Sequence, residues 1–251
     1  MNVRILAATI GRVLRQLRHD RRTIALLVVV PTVLLTLVYY MYADKPTPLG
    51  QPSVFDRVAL VMLGTFPFVI MFLVTSIAML RERTSGTLER LLTTPLGKLD
   101  LLFGYGIAFG LAAAVQAALA AGLAYWVFDL RTLGSSGLVI GIAVLDAVLG
   151  VALGLLCSAF ARTEFQAVQF LPVVVIPQLL LCGLFVARSE MAGWLQGLSD
   201  ALPLTYAIEA LQEVGAHAEP TATMWRDVGV VFGAVVLALV LAAATLRRRT
   251  G

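Results

Sequence analysis

The chain lacks most of what a soluble enzyme needs. Among its 251 residues there is no Gly-x-x-x-x-Gly-Lys-Ser/Thr loop. The Gly97-Lys98 pair follows Pro95-Leu96 and runs into Leu99, so no glycine-rich turn cradles a phosphate. There is no His-Glu-x-x-His pattern and no nucleophile elbow. The two histidines, His19 and His217, stand far apart, and the two cysteines, Cys157 and Cys182, sit inside apolar runs without metal-ligand spacing. They read as packing residues. Covalent chemistry, a resident metal and nucleotide binding by this chain are all excluded on these grounds. Charge is scarce too: Asp, Glu, Lys and Arg make up 14%, against about 25% in ordinary soluble domains.

What replaces charge is apolar length. Hydrophobic residues make up 59% and the mean hydropathy is +0.90. Six runs reach the roughly 20 residues that cross a bilayer: 24–43, 58–80, 101–128, 137–160, 167–187 and 228–246. They predict an all-α integral membrane protein of one transmembrane domain, 1–251. The first run is too long for the apolar core of a signal peptide, and Met41-Tyr42-Ala43 is a poor cleavage site.

The net charge of +4 is distributed for a membrane and not for nucleic acid. If the polar segments alternate sides, one side holds fourteen Lys and Arg: Arg4, Arg12, Arg15, Arg18, Arg21 and Arg22, then Arg81, Arg83, Arg90 and Lys98, then Arg162, then Arg247, Arg248 and Arg249. The other side holds five, Lys45, Arg57, Arg131, Arg188 and Arg226, despite the longest loop. The positive-inside rule makes both termini cytoplasmic.

The ends of the spans carry their own signals. In residues 1–22, Val3, Leu6, Ile10, Val13, Leu14 and Leu17 share a narrow arc opposite Arg4, Arg12, Arg15, Arg18 and Arg22. This predicts an interfacial helix with its arginines toward anionic headgroups. The loop 188–227 is too apolar for a plain connector. Residues 191–198 and 203–214 read as short helices, with Trp194 and Tyr206 as interfacial anchors. They are expected to re-enter the membrane from the extracellular side.

Loop 81–100 carries a small amphipathic helix. Thr84 or Ser85 caps its start, and Leu88, Leu91 and Leu92 fall on one face, with Glu89 and Arg90 beside it and Pro95 past the end. Three leucines displayed in a polar loop need something to cover them. The run Arg83-Thr84-Ser85-Gly86-Thr87-Leu88-Glu89-Arg90-Leu91-Leu92-Thr93-Thr94-Pro95 resembles the cytosolic motif of type-2 ATP-binding-cassette exporter permeases, nearest to the daunorubicin and multidrug type. A second stretch, Leu202-Pro203-Leu204-Thr205-Tyr206-Ala207-Ile208-Glu209-Ala210-Leu211, resembles the segment before that family's last span.

The resemblance implies a coupling helix, with Gly86, Thr87, Leu88, Glu89, Arg90, Leu91, Leu92 and Pro95 docking a cytosolic ATPase subunit. It also implies a second permease copy, identical or a sister chain, in a bacterial inner membrane. ATP and magnesium would belong to the partner, with no cofactor on this chain. The second and fifth spans would border the path of a hydrophobic or amphipathic cargo, such as a drug, antibiotic or lipid. This places Phe66, Pro67, Met71, Gln169 and Gln178 near it.

Two features inside the membrane are open to more than one reading. Asp146, Gly150, Gly154 and Ser158 are spaced by four in the fourth span. An acid at that depth costs about 2.5–3.5 kcal/mol on insertion scales, so it should avoid lipid. Asp146 is either a wall of the cargo path or a buried acid, protonated or paired with another helix. Gly104, Ala108, Ala112, Gln116, Ala120 and Ala124 form a second stripe, expected to pack closely with Gln116 hydrogen-bonded across it. Pro172 and Pro177 are expected to loosen the fifth span. The alternative function is an ion-coupled carrier using Asp146, though no inverted repeat supports it. A sensory or structural membrane protein explains neither the leucine face nor Asp146.

Overall fold

The computed structural model describes residues 3–43, 53–85 and 98–245. These are all helix and connection, with no strand among them. In chain order the helices are α1 (Val3–His19), α2 (Arg21–Tyr42), α3 (Val54–Thr84), α4 (Lys98–Trp126), α5 (Ser136–Cys157), α6 (Glu164–Phe170), α7 (Ile176–Leu181), α8 (Gly193–Asp200), α9 (Pro203–Ala216) and α10 (Ala222–Thr245). A π-helical turn, Leu171–Val175, joins α6 to α7, and a 3₁₀ turn, Arg188–Glu190, precedes α8. Six segments are long and apolar enough to cross a membrane: Arg21–Tyr42, Val54–Thr84, Leu101–Trp126, Ser136–Cys157, Glu164–Leu181 and Ala222–Thr245. Of the basic residues counted above, Lys45, Arg90, Arg247, Arg248 and Arg249 lie outside the described residues.

Boundaries shift where polar caps decide them. α1 stops at His19 and α2 restarts at Arg21, because Asp20 accepts from the backbone N–H of Arg22 and Thr23, each at 3.2 Å. The Thr23 hydroxyl, 2.7 Å from Asp20 Oδ2, holds this carboxyl below its usual pKa. α3 starts four residues before the expected 58, at a capping box in which Ser53 and Asp56 exchange hydrogen bonds. It also runs past 80 to Thr84, whose hydroxyl bonds back to the Leu80 carbonyl at 3.1 Å. Ser85 closes the helix through its N–H to the Arg81 carbonyl. Thr84 is therefore the last turn of α3 and does not start a new helix. The fifth span ends early, at Leu181, and contains the π turn between Pro172 and Pro177. Each proline removes a donor from the ladder, which is where the helix was expected to loosen.

The centre of the bundle is a close crossing of α3 and α5. A Cβ on Gly150 would lie 2.3 Å from the Phe68 carbonyl oxygen, and one on Gly154 would lie 2.6 Å from that of Phe72. Four residues earlier on both helices, a Cβ on Gly64 would come 3.3 Å from Asp146 Oδ2. The pairing advances in step on both helices, so they run parallel, as alternate spans must. The Asp146-to-Ser158 stripe is a packing seam, and α3 fills it with backbone.

Two buried clusters flank this seam. One holds the α1 end: Val13, Leu27, Met79, Tyr105 and their neighbours. The other holds the α9 end, with Leu63, Leu149, Ile208, Leu211 and Val235. Tyr39, Phe55 and Phe128 close that second end, with ring centroids 4.6–6.1 Å apart. The α4 stripe packs too: a Cβ on Gly104 would lie 2.6 Å from Thr9 Cγ2, which brings α1 down onto α4. Gln116 is buried, but both its amide atoms lack a partner among the described residues, so the expected bond across the stripe is not made among them.

Replacing Gly150 by Ala should force α3 and α5 apart and cost about 1–3 kcal/mol, the usual toll of overpacking. Gly141 has nothing within 4 Å of a new Cβ, so Gly141→Ala is the control. Thermal unfolding of the detergent-purified protein should show a lower midpoint for the first variant only.

Candidate functional site

The loop expected to dock a partner, with Gly86, Thr87, Leu88, Glu89, Arg90, Leu91, Leu92 and Pro95, lies outside the described residues. What is described is the frame that holds it, between the end of α3 and the start of α4. Three consecutive charges close α3. Arg81 makes a two-pronged contact with Glu164 at the start of α6, at 2.7 and 3.1 Å. Glu82 turns inward, 6% exposed, and pairs with Arg12 of α1 at 3.3 Å. Arg12 also donates to the Tyr105 hydroxyl of α4 at 2.5 Å and lies over that ring. Arg83 is half-buried, and its Nε and Nη2 have no partner among the described residues. The last turn of α3 is thus tied to α1, α4 and α6 within three residues.

Arg12 departs from the expectation for α1. The helical wheel put it with the arginines that face headgroups. The structure turns it into the bundle, because a buried carboxylate without a counter-charge costs far more than bending one arginine inward. Sequence reading counted Arg12 and passed over Glu82. The available signal was an acid between two arginines at the end of a span.

The expected path residues differ in their surroundings. Phe66 is half-buried in the α9-end cluster. Pro67, Met71 and Asp146 are buried, and Asp146 has neither oxygen hydrogen-bonded. Ile208 and Leu211 of α9 close over Gly64 beside Asp146. Gln178 is a structural tie: its Nε2 donates to the Val174 carbonyl at 3.0 Å and its Oε1 accepts from the Leu204 N–H at 3.3 Å. The latter bond caps the start of α9. Gln169 alone is exposed, on a groove of about 390 Å³ with Phe160, Arg162 and Phe170.

The opposite end carries an ionic network that the sequence reading also missed. Arg188 bridges Asp200 of α8 and Glu209 of α9, the latter at 2.5 Å. Glu209 reaches Arg226 of α10 at 3.6 Å, and Arg226 pairs with its buried neighbour Asp227 at 2.7 Å. Tyr206 donates to the Asp200 carbonyl at 2.7 Å and lies under Arg188. Five charges from four elements pin α8 and α9 against the last span. Nearby, Leu133 and Gly134 donate backbone hydrogen bonds to the carbonyls of Gly215 and Val214.

These features define a multi-pass helical membrane domain whose polar ties gather at its two ends. The chain belongs to the ABC-2 type transporter family, whose model matches residues 4–214. It is similar to the Probable multidrug ABC transporter permease YbhR of Escherichia coli (strain K12), 29% identical over 142 residues, 57% of this chain and 39% of that protein. It is also similar to ABC transporter G family member 20 of Dictyostelium discoideum, 27% identical over 171 residues, 67% of this chain and 23% of that protein. The Linearmycin resistance permease protein LnrN of Bacillus subtilis (strain 168) is 25% identical over 138 residues, 55% of this chain and 36% of that protein. The alignments therefore span well under half of each relative's length.

Asp146 offers a direct test of whether its partner lies in this chain. Asp146→Asn keeps the shape and removes the acid, so an unpaired carboxyl loses nothing by the change. Membrane accumulation and the unfolding midpoint of the variant should match or exceed wild type. A fall in both would mean that Asp146 carries a structural bond.

Proposed function

We propose that this chain is the membrane-spanning permease subunit of an ATP-driven exporter of hydrophobic or amphipathic molecules. The observation that carries the reading is the family match, which runs through the leucine-bearing loop. Two copies of the chain, or this chain and a sister permease, sit in a bacterial inner membrane with both termini cytoplasmic. Each copy docks one cytosolic ATPase subunit through Leu88, Leu91 and Leu92, with Glu89 and Arg90 making polar contacts. ATP and magnesium stay on that partner.

The clamp at the end of α3 supports this division of labour. A push on the loop meets Arg81, Glu82 and their partners at once. The force then passes to α1 and α6, and along α3 to the seam with α5. α8 and α9 serve as re-entrant helices over the outer end of the path, pinned by Arg188 and Arg226. The relatives named as a multidrug transporter permease and a linearmycin resistance permease favour a drug-like or lipid-like cargo here. So does a span surface rich in Phe, Val and Leu, including exposed Phe165, Val173 and Leu180.

The test is a tagged pull-down from detergent-solubilised native membranes, wild type beside Leu91→Asp. An ATP-binding-cassette ATPase should co-purify with wild type and be lost from the variant. Its absence from well-folded wild type would overturn the reading. Asp146, buried with both oxygens unpaired, favours one second reading, an ion-coupled carrier. That reading requires Asp146→Asn to abolish uphill transport in vesicles without any ATPase; the exporter reading requires the variant's transport to stay dependent on ATP.

A further inference from the structure

A cavity of about 380 Å³ lies between α1, α2, α3 and α4, at the end of the bundle that carries α1. Its wall is two-faced. Leu26, Leu73, Ile77 and Phe109 give an apolar side, while Asp20, Arg22, Arg81 and Glu82 give a charged one, Arg81 being already paired with Glu164. Both signs of charge are incomplete. Glu82 spends Oε1 on Arg12 and interacts with the Tyr105 hydroxyl, and among the described residues its Oε2 makes no hydrogen bond although the side chain is almost wholly buried. Arg22 is exposed, and its guanidinium has no carboxylate partner among the described residues.

A buried carboxylate oxygen without a donor costs about 1–3 kcal/mol or more. Glu82 lines the cavity, and a small turn about its last, soft torsion would bring that oxygen toward it. The occupant that completes the site must bring an N–H cation for Glu82, an anion for Arg22, and an apolar tail for Leu26 and Leu73. Leu26 is exposed on the span surface, so the tail has a route from the surrounding bilayer. We infer that this cavity binds a zwitterionic aminophospholipid, with its ammonium on Glu82, its phosphate at Arg22 and an acyl chain along α2 and α3. The inference rests on the chain's place in a bilayer and not on its partner or cargo.

Native mass spectrometry of the full chain tests it, with no ATPase present, so failure of the exporter reading leaves the result intact. The purified protein is exchanged into phosphatidylethanolamine, phosphatidylcholine or phosphatidylglycerol, and the tightly held lipid is counted. Phosphatidylethanolamine should be retained about tenfold over phosphatidylcholine, the size of one charge-assisted hydrogen bond. A quaternary ammonium has no N–H to donate. Glu82→Gln should erase that preference, and Arg22→Gln should weaken both lipids alike.

Glu82→Gln also disturbs the pairing with Arg12, so Ala78→Trp is the second variant. It fills the cavity from the α3 wall and leaves Arg12 and Glu82 in place; it should lose the lipid while keeping the wild-type unfolding midpoint. Equal retention of all three lipids, or retention undiminished in Ala78→Trp, overturns the assignment. Dodecylamine, an amine without a phosphate, should compete poorly; competition as strong as phosphatidylethanolamine and indifferent to Arg22→Gln would overturn the zwitterionic head.

Discussion

The rest of the molecule depends on the contact between the backbones of α3 and α5. In a bilayer, lipid tails are as apolar as leucine, so helices gain little by hiding apolar side chains from them. They associate where backbones come close. Gly150 and Gly154 leave room for the Phe68 and Phe72 carbonyls, and Gly64 leaves room for Ile208 and Leu211 of α9. One seam thereby sets the spacing of three elements. Because each contact recurs every four residues on both helices, the seam is straight and parallel, and it fixes where both ends of α3 emerge.

Charge then does at the two ends what glycine does in the middle. At one end, Arg81, Glu82 and Arg12 tie the close of α3 to α6, α1 and α4. At the other, Arg188, Glu209 and Arg226 tie α8 and α9 to α10. Ion pairs in water contribute little, with a typical exposed pair near 0–1 kcal/mol. The buried half of each network is different. Glu82 and Asp227 are shut away from solvent, so removing their arginine partners would strand a charge. Pairing therefore adds to apolar burial in specifying these ends.

The spans were legible in the sequence because a bilayer leaves few ways to satisfy a backbone, and about 20 apolar residues in a row announce one of them. Helices α8 and α9 were legible for a related reason: Gly and Pro punctuate apolar turns around Trp194 and Tyr206. The polar caps were harder. Asp20 interrupts a helix through local hydrogen bonds that a hydropathy average blurs, and Ser53 with Asp56 lengthens α3 through a capping box hidden in a polar loop. Hardest were the pairs. Arg12 and Glu82 are 70 residues apart in sequence, and nothing local to either says which arginine turns inward. The same limit applies to Gln178: the resemblance placed it near the path, and nothing local to it announces its bond to the Leu204 N–H at the start of α9.

Asp146 shows how the seam and the charges bear on each other. It lies on the glycine stripe, where the neighbours are backbone and aliphatic carbon, and among the described residues no cation pairs with it. The hydroxyls of Thr65, Thr75 and Ser76 on α3 are likewise buried and unpartnered. The seam is therefore held by close backbone contact, with its polar atoms adding no bonds across it. A contact of that kind is fixed in register, because only glycine leaves room for the facing carbonyls of Phe68 and Phe72. α3 is clamped at the loop end by Arg81 and Glu82 and packed against α9 beside Gly64. It is the element that joins the two ends of the bundle, and glycine at 150 and 154 is what keeps α5 in register with it.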